Sequence, residues 1–167
     1  MEAQDIIKKL NLKVHPTEGG YYIETYRSKD IINENNLPNR YNKDKSICTA
    51  IYFFLTPDTF SEIHKIPTDE IFHFYAGDTV EMLQLDPNGE GKIIKIGNNI
   101  NEDEQPQVIV PANCWQGSRL IKGGKYALMG TTVSPGFDFE DYKTANKEEL
   151  IRKYPDFKEI IEFLTRK

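Results

Sequence analysis

"FSEIHKIPTDEIFHFYAG", residues 60–77, alternates its side-chain types on both sides of a Pro-Thr-Asp break. Side chains on a strand point to opposite faces in turn, so Phe60, Glu62, His64 and Ile66 are expected on one face. After the break, Glu70, Phe72 and Phe74 fall on one face, and Ile71, His73 and Tyr75 on the other. The break is short enough for a hairpin, which would set His64 and Glu70 close together across the pair. An imidazole beside a carboxylate in an aromatic-lined interior is costly unless it has a partner or a task.

Outward from this stretch the same two-residue period recurs. Strands are expected at 19–28, 47–55, 79–85, 92–96, 107–110, 114–120 and 125–133, separated by breakers such as "TPDT", "DPNGEG" and "KGGK". Helical spacing is confined to the ends: Ile6, Ile7 and Leu10 within 3–12, and Phe157, Ile160, Ile161 and Leu164 within 146–166. Many short strands with regular turns predict an antiparallel all-β sandwich or barrel, and a jelly roll is one of few ways to close so many. The polar segment from Ser28 to Lys45 reads as a long mobile insertion, and "SPGF" (134–137) as a turn leading off the barrel.

The 167 residues, 38% hydrophobic, suffice for one substantial core, so a single domain over 1–167 is expected, with a barrel at about 19–135. With 21 basic and 26 acidic residues, a net charge of −5 and no basic cluster, nucleic acid is not an expected partner. The N-terminal residues lack an apolar run typical of a signal peptide and no run approaches a membrane span, so a cytoplasmic protein is expected. Cys48 and Cys114 lack metal-knuckle spacing and read as two thiols, not a disulfide.

The spacing His64-x-Ile66-x3-Glu70-x6-Gly77 resembles the first cupin motif, G-x5-H-x-H-x3-4-E-x6-G, and Pro111, Asn113 and Gln116 fall on the second, P-x-G-x2-H-x3-N. "HPTEGGYYIETYRS", "DEIFHFYAGD", "MLQLDP", "PQVIVPANCWQ" and "GTTVSPGFDFEDY" further resemble the small cupin type 5 family of unknown function, over about residues 12–145. That resemblance implies a double-stranded β-helix, paired as a homodimer, with a ligand pocket inside the barrel. Cupins commonly hold a metal with two His, a Glu and a third His. Here Ile66 and Gln116 stand at two of the histidine positions, so only His64 and Glu70 remain. Loss of tight metal binding is expected, because an amide is a weak ligand. Any divalent cofactor would rest on His64, Glu70 and Gln116, with water completing the shell.

Without a strong metal, His64 and Glu70 suit general base chemistry, with Glu70 orienting the imidazole and stabilising its cation. An epimerase or isomerase acting on a sugar or nucleotide sugar is one reading, a non-catalytic metabolite-binding module a second, and a metal-dependent cupin oxygenase or isomerase a third. Phe72, Phe74 and Trp115 are core residues or a ligand-stacking wall. Tyr22 and Glu24 share a face of the first long strand with Tyr26, and Tyr52, Tyr75 and Tyr126 are further phenols; none is singled out as a proton donor. His73 is assigned to packing on the opposite face, and His15, before Pro16, is given no role.

Overall fold

Two six-stranded sheets face each other in the computed structural model, which describes residues 2–166. In chain order the strands are β1 (Lys13–Val14), β2 (Tyr21–Arg27), β3 (Ile31–Ile32), β4 (Lys45–Ser46), β5 (Thr49–Leu55), β6 (Phe60–Lys65) and β7 (Glu70–Gly77). They continue with β8 (Val80–Leu85), β9 (Gly91–Ile96), β10 (Glu104–Gln105), β11 (Gln107–Val110), β12 (Trp115–Leu120), β13 (Ala127–Val133) and β14 (Lys143–Thr144). Helix α1 (Ala3–Lys9) precedes them, and α2 (Lys147–Lys153) and α3 (Lys158–Phe163) follow. One sheet runs β1-β2-β5-β13-β7-β11 and the other β10-β9-β8-β12-β6-β14, a jelly-roll arrangement antiparallel except for the β9–β10 pair.

The hairpin expected between β6 and β7 does not form. The Pro67–Asp69 turn carries the chain from one sheet to the other, so β6 pairs with β12 and β14 while β7 pairs with β13 and β11. Between the sheets, Phe53, Leu55, Phe72, Val80, Met82, Val108, Val110 and Met129 form a nearly solvent-free core. Burying each such side chain is worth about 1.5–3 kcal/mol. A second cluster joins Ile63, Leu83 and Leu85 on the outer face of the second sheet to Leu150, Ile160, Ile161 and Leu164, which accounts for the C-terminal helical stripe. That stripe lies on α3 and the 3-10 turn before it, and Leu150 on the separate α2, because Pro155 opens the 3-10 turn that divides the two helices.

The segment from Ser28 to Lys45 is not a free loop. It holds the β3–β4 pair and ends on Lys45, whose side chain is wholly buried and ion-paired with Asp141 at 2.5 Å and Asp138 at 3.0 Å. Those acids lie beyond "SPGF", so the chain that was expected to leave the barrel is clamped back onto it. Cys48 and Cys114 are both free thiols.

Two strands break their alternation where they pass the barrel cavity. Opposite β12, Gln116 pairs with His64 but Ser118 pairs with Ser61, so β6 carries an extra residue there. Opposite β5, Glu24 pairs with Ile51 and Tyr26 with Ala50, which gives β2 the same irregularity at Thr25. A bulge of this type re-aims the side chains that follow it. As a result Ser61 and His64 turn the same way, Ile63 joins the helix-covered cluster, and Tyr26 turns outward while Arg27 lines the cavity.

Candidate active site

A cavity of about 280 Å³ opens at one end of the barrel. The turn between β1 and β2 supplies His15 and Glu18, and its conformation depends on Gly19 and Gly20 at φ +97° and +68°. A Cβ on Gly19 would collide with the Phe60 carbonyl, so no other residue fits that crossing. The turn is sewn to β6 by the Glu62 amide, which donates to the Glu18 carbonyl at 2.8 Å.

Hydrogen bonds fix the protonation of both imidazoles. His15 Nδ1 accepts the Glu18 amide at 2.9 Å, which leaves the proton on Nε2, facing the Glu18 carboxylate at 3.8 Å. His64 Nδ1 donates to the Glu62 carbonyl at 2.8 Å, which leaves Nε2 as a bare acceptor for the Gln116 amide at 2.9 Å. The His64 ring stacks on Tyr142, with centroids 4.6 Å apart and planes 20° from parallel. The same Gln116 amide donates to Glu70 Oε2 at 3.2 Å, and Glu18 Oε2 lies 4.0 Å from His64 Nε2 on its other side.

Burial sets the acidities. Desolvation pushes both Glu18 and Glu70 up to about 7; Glu70 is raised further by the Glu18 charge, and the Ser61 hydroxyl bonded to Glu18 works against the shift there. Desolvation also holds His15 down at about 4, with the neighbouring His64 and Arg166 adding to it, and lowers His64 against the pull of Glu70. The Tyr142 phenol is pushed well above its ordinary range by burial and then by Glu18 and Glu62, and its hydroxyl has no partner among the described residues. The site thus holds two neutral imidazoles and two carboxyls that exchange protons near neutrality. Carboxyls in that range can give or take a proton without a large energetic penalty in either direction.

His64, Glu70, Tyr22 and Glu24 line this cavity, with Gln116 behind the first two. Glu70 does not orient His64: the Glu62 carbonyl and Tyr142 do that, and Gln116 stands between the two expected partners. Phe72 is in the core, Phe74 lines a separate concavity near Asp78 and Glu104, and Trp115 packs under the C-terminal helices with Lys65 over its ring. Phe72 and Phe74 do share the inward face with Glu70, but four residues along a strand span about 13 Å, and the cavity occupies only one end. His73 is on the opposite face, beside Thr132. Residues that alternation and motif spacing passed over are His15, Glu18, Arg27, Phe137, Phe139 and Tyr142. The Glu-Gly-Gly run after His15 was the available signal for the first two.

The donor set does not fit a resident metal. Among the described residues, no three His, Cys, Asp or Glu side chains stand where they could close on one ion. The Gln116 amide nitrogen covers the only free lone pair of His64, and Ile66 places a hydrocarbon on the cavity wall.

The sequence profile of Cupin_5, described as Cupin superfamily (DUF985), matches residues 4–145. The chain belongs to this family. Among curated relatives, this cupin is 29% identical over 160 residues to the uncharacterized protein YML079W of Saccharomyces cerevisiae, covering 89% of this chain and 78% of the relative. Among solved structures it is similar to protein SO0799 of Shewanella oneidensis, at 32% identity and TM-score 0.87 over 99% of this chain and 98% of the other. A hypothetical protein from Leishmania major matches at 29% identity and TM-score 0.87 over the full length of both chains. Oxalate decarboxylase of Bacillus subtilis shares the fold alone: 17% identity and TM-score 0.54, over 95% of this chain and 39% of the enzyme.

Proposed function

We propose that this cupin binds a small polar metabolite in its barrel and moves a proton on it, as an epimerase or isomerase does, with the base and acid drawn from Glu18 and Glu70 and with neutral His64 as the positioning group that Gln116 ties to Glu70. One observation carries the reading: the Gln116 amide bonds His64 Nε2 and Glu70 Oε2 together, while Glu18 Oε2 lies 4.0 Å from the same imidazole nitrogen. Two proton-carrying carboxyls and the imidazole between them thereby converge on one cavity. In a general acid–base reaction, one carboxyl takes the proton from carbon next to a carbonyl and the other, still protonated, returns one. The Tyr142 hydroxyl, left without a protein acceptor, donates to the developing oxyanion. Tyr22, Phe137 and Phe139 supply the apolar wall.

A thermal-shift screen of aldoses and ketoses, followed by deuterium exchange from solvent into each hit, tests the proposal. Exchange with the native protein that is lost in Glu70→Gln and His64→Ala is the expected result. Saturable binding with no exchange for any hit would instead make the barrel a binding module. The same reading takes the chain as one domain acting in the cytoplasm, in keeping with its two free thiols, and as a homodimer. Pairing is supported by the outer face of the first sheet, where Tyr75 and Ile109 are 48% and 55% exposed. Among the described residues no helix is long and apolar enough to cross a membrane.

A further inference from the structure

Two strands beside the barrel use their alternation twice. His64 and Tyr142 turn into the barrel cavity, and the next residues, Lys65 and Lys143, turn out into a second one. This outer cavity, also about 280 Å³, is lined by Arg40, Asn113 and the two lysines among others, and it shares only Ile66 with the barrel cavity. We propose that it is a binding site for the phosphate group of a small metabolite.

The charge arrangement is the argument. Lys65 and Lys143 are direct partners across the β6–β14 pair, where like charges destabilise a ladder. Neither forms an ion pair among the described residues, and the Lys65 ammonium lies over Trp115 at 4.4 Å. The Arg40 guanidinium is fixed by its Nε bond to the Pro67 carbonyl at 2.8 Å and by the Tyr41 ring beneath it, and its terminal nitrogens have no acceptor among the described residues. The acids on the wall are already engaged, Glu140 by Lys43 at 2.8 Å and Asp141 by Lys45. Three cations therefore face one concavity whose two acids, Glu140 and Asp141, are each paired with another lysine, on a chain whose net charge is −5. A phosphate dianion relieves the lysine–lysine repulsion and takes the fixed hydrogen bonds of Arg40. The small volume of this surface concavity and the overall negative charge favour a small molecule over a nucleic acid or an anionic membrane.

Inorganic phosphate is the probe, titrated against chloride at constant ionic strength. Native protein is expected to show a saturable rise in melting temperature in the millimolar range, with amide NMR shifts at Asn113 and Lys143. In Lys65→Gln/Lys143→Gln the affinity should fall about tenfold or more, while the melting temperature without phosphate stays level or rises. Arg40→Gln, which leaves the β6–β14 pair intact, should weaken phosphate in the same direction. An equal response in native and variant proteins, or no saturation in the native protein, would overturn the site and leave a solvated cationic face.

Discussion

Ser61 and His64, three residues apart on one strand, both face Glu18: the serine hydroxyl donates to Oε1 at 2.5 Å and His64 Nε2 lies 4.0 Å from Oε2. Strict alternation would send them to opposite sides of the sheet. The extra residue in β6 opposite Gly117 reconciles the two, and Gly117 is where that bulge is tightest: a Cβ there would sit 3.0 Å from both the Ser61 carbonyl and the Ile63 side chain. Gly117→Ala is therefore expected to cost about 1–3 kcal/mol through overpacking and to displace His64 from Glu18. Urea unfolding measures the first effect and histidine NMR the second; an unchanged midpoint with unchanged imidazole shifts would count against this account of the bulge.

Stability should fall as pH rises through neutrality. Glu18 and Glu70 have folded pKa values near 7 against about 4.5 unfolded, so the folded state holds more protons than the unfolded chain between those values. Their contribution is complete below pH 4.5 and is lost as pH climbs through 7. His15, lowered to about 4 from 6.5, and His64, also lowered by burial, have the opposite slope and offset part of the decline on the acid side. The net loss thus falls in the upper part of the interval between pH 4.5 and 7 and is complete just above it. Denaturation midpoints across this range should flatten in Glu18→Gln, and a variant curve parallel to the native one would exclude Glu18 as a source of the effect.

Gln116 stands where a metal-binding cupin would have histidine. Replacing it with Leu leaves Glu70 buried without its amide donor and His64 Nε2 without a partner, at a cost of about 1–3 kcal/mol. By contrast, Ile66→His/Gln116→His adds two imidazoles beside His64 and Glu70 and should create a divalent-metal site in place of none. Elemental analysis of protein purified without a chelating tag makes the comparison, and stoichiometric metal in the unmodified chain would refute it.

The Lys45 ion pairs hold the segment that carries Phe137, Phe139 and Tyr142 over the cavity. Lys45→Met strands Asp141, whose side chain is only 10% exposed, and is expected to cost about 3 kcal/mol. Because Tyr142 stacks on His64, the loss should also appear as a changed His64 ring environment by NMR before global unfolding. A destabilised variant with a native His64 signal would separate the clamp from the site.

The two-residue period, the spacing of the breakers and the apolar stripes at the ends were enough to place the long strands and an antiparallel sandwich or barrel, which the cupin resemblance narrowed to a jelly roll, because those signals are local: a strand buries one face, and a turn needs Gly, Asn, Asp or Pro. The motif spacing likewise drew attention to His64, Glu70 and Gln116. What residues 60–77 alone could not reveal is that β6 and β7 belong to different sheets, so His64 meets Glu70 through Gln116 on a third strand and not across a hairpin. The places of Glu18, Arg27 and Tyr142 were similarly out of reach, although the Glu-Gly-Gly run marked the turn that carries Glu18. Their places depend on a glycine turn sewn to β6, a bulge in β2 and a buried lysine clamp, each a contact between residues far apart in the chain. Local chemistry fixed the elements; the desolvation that makes the site reactive arose only when the sheets closed over it.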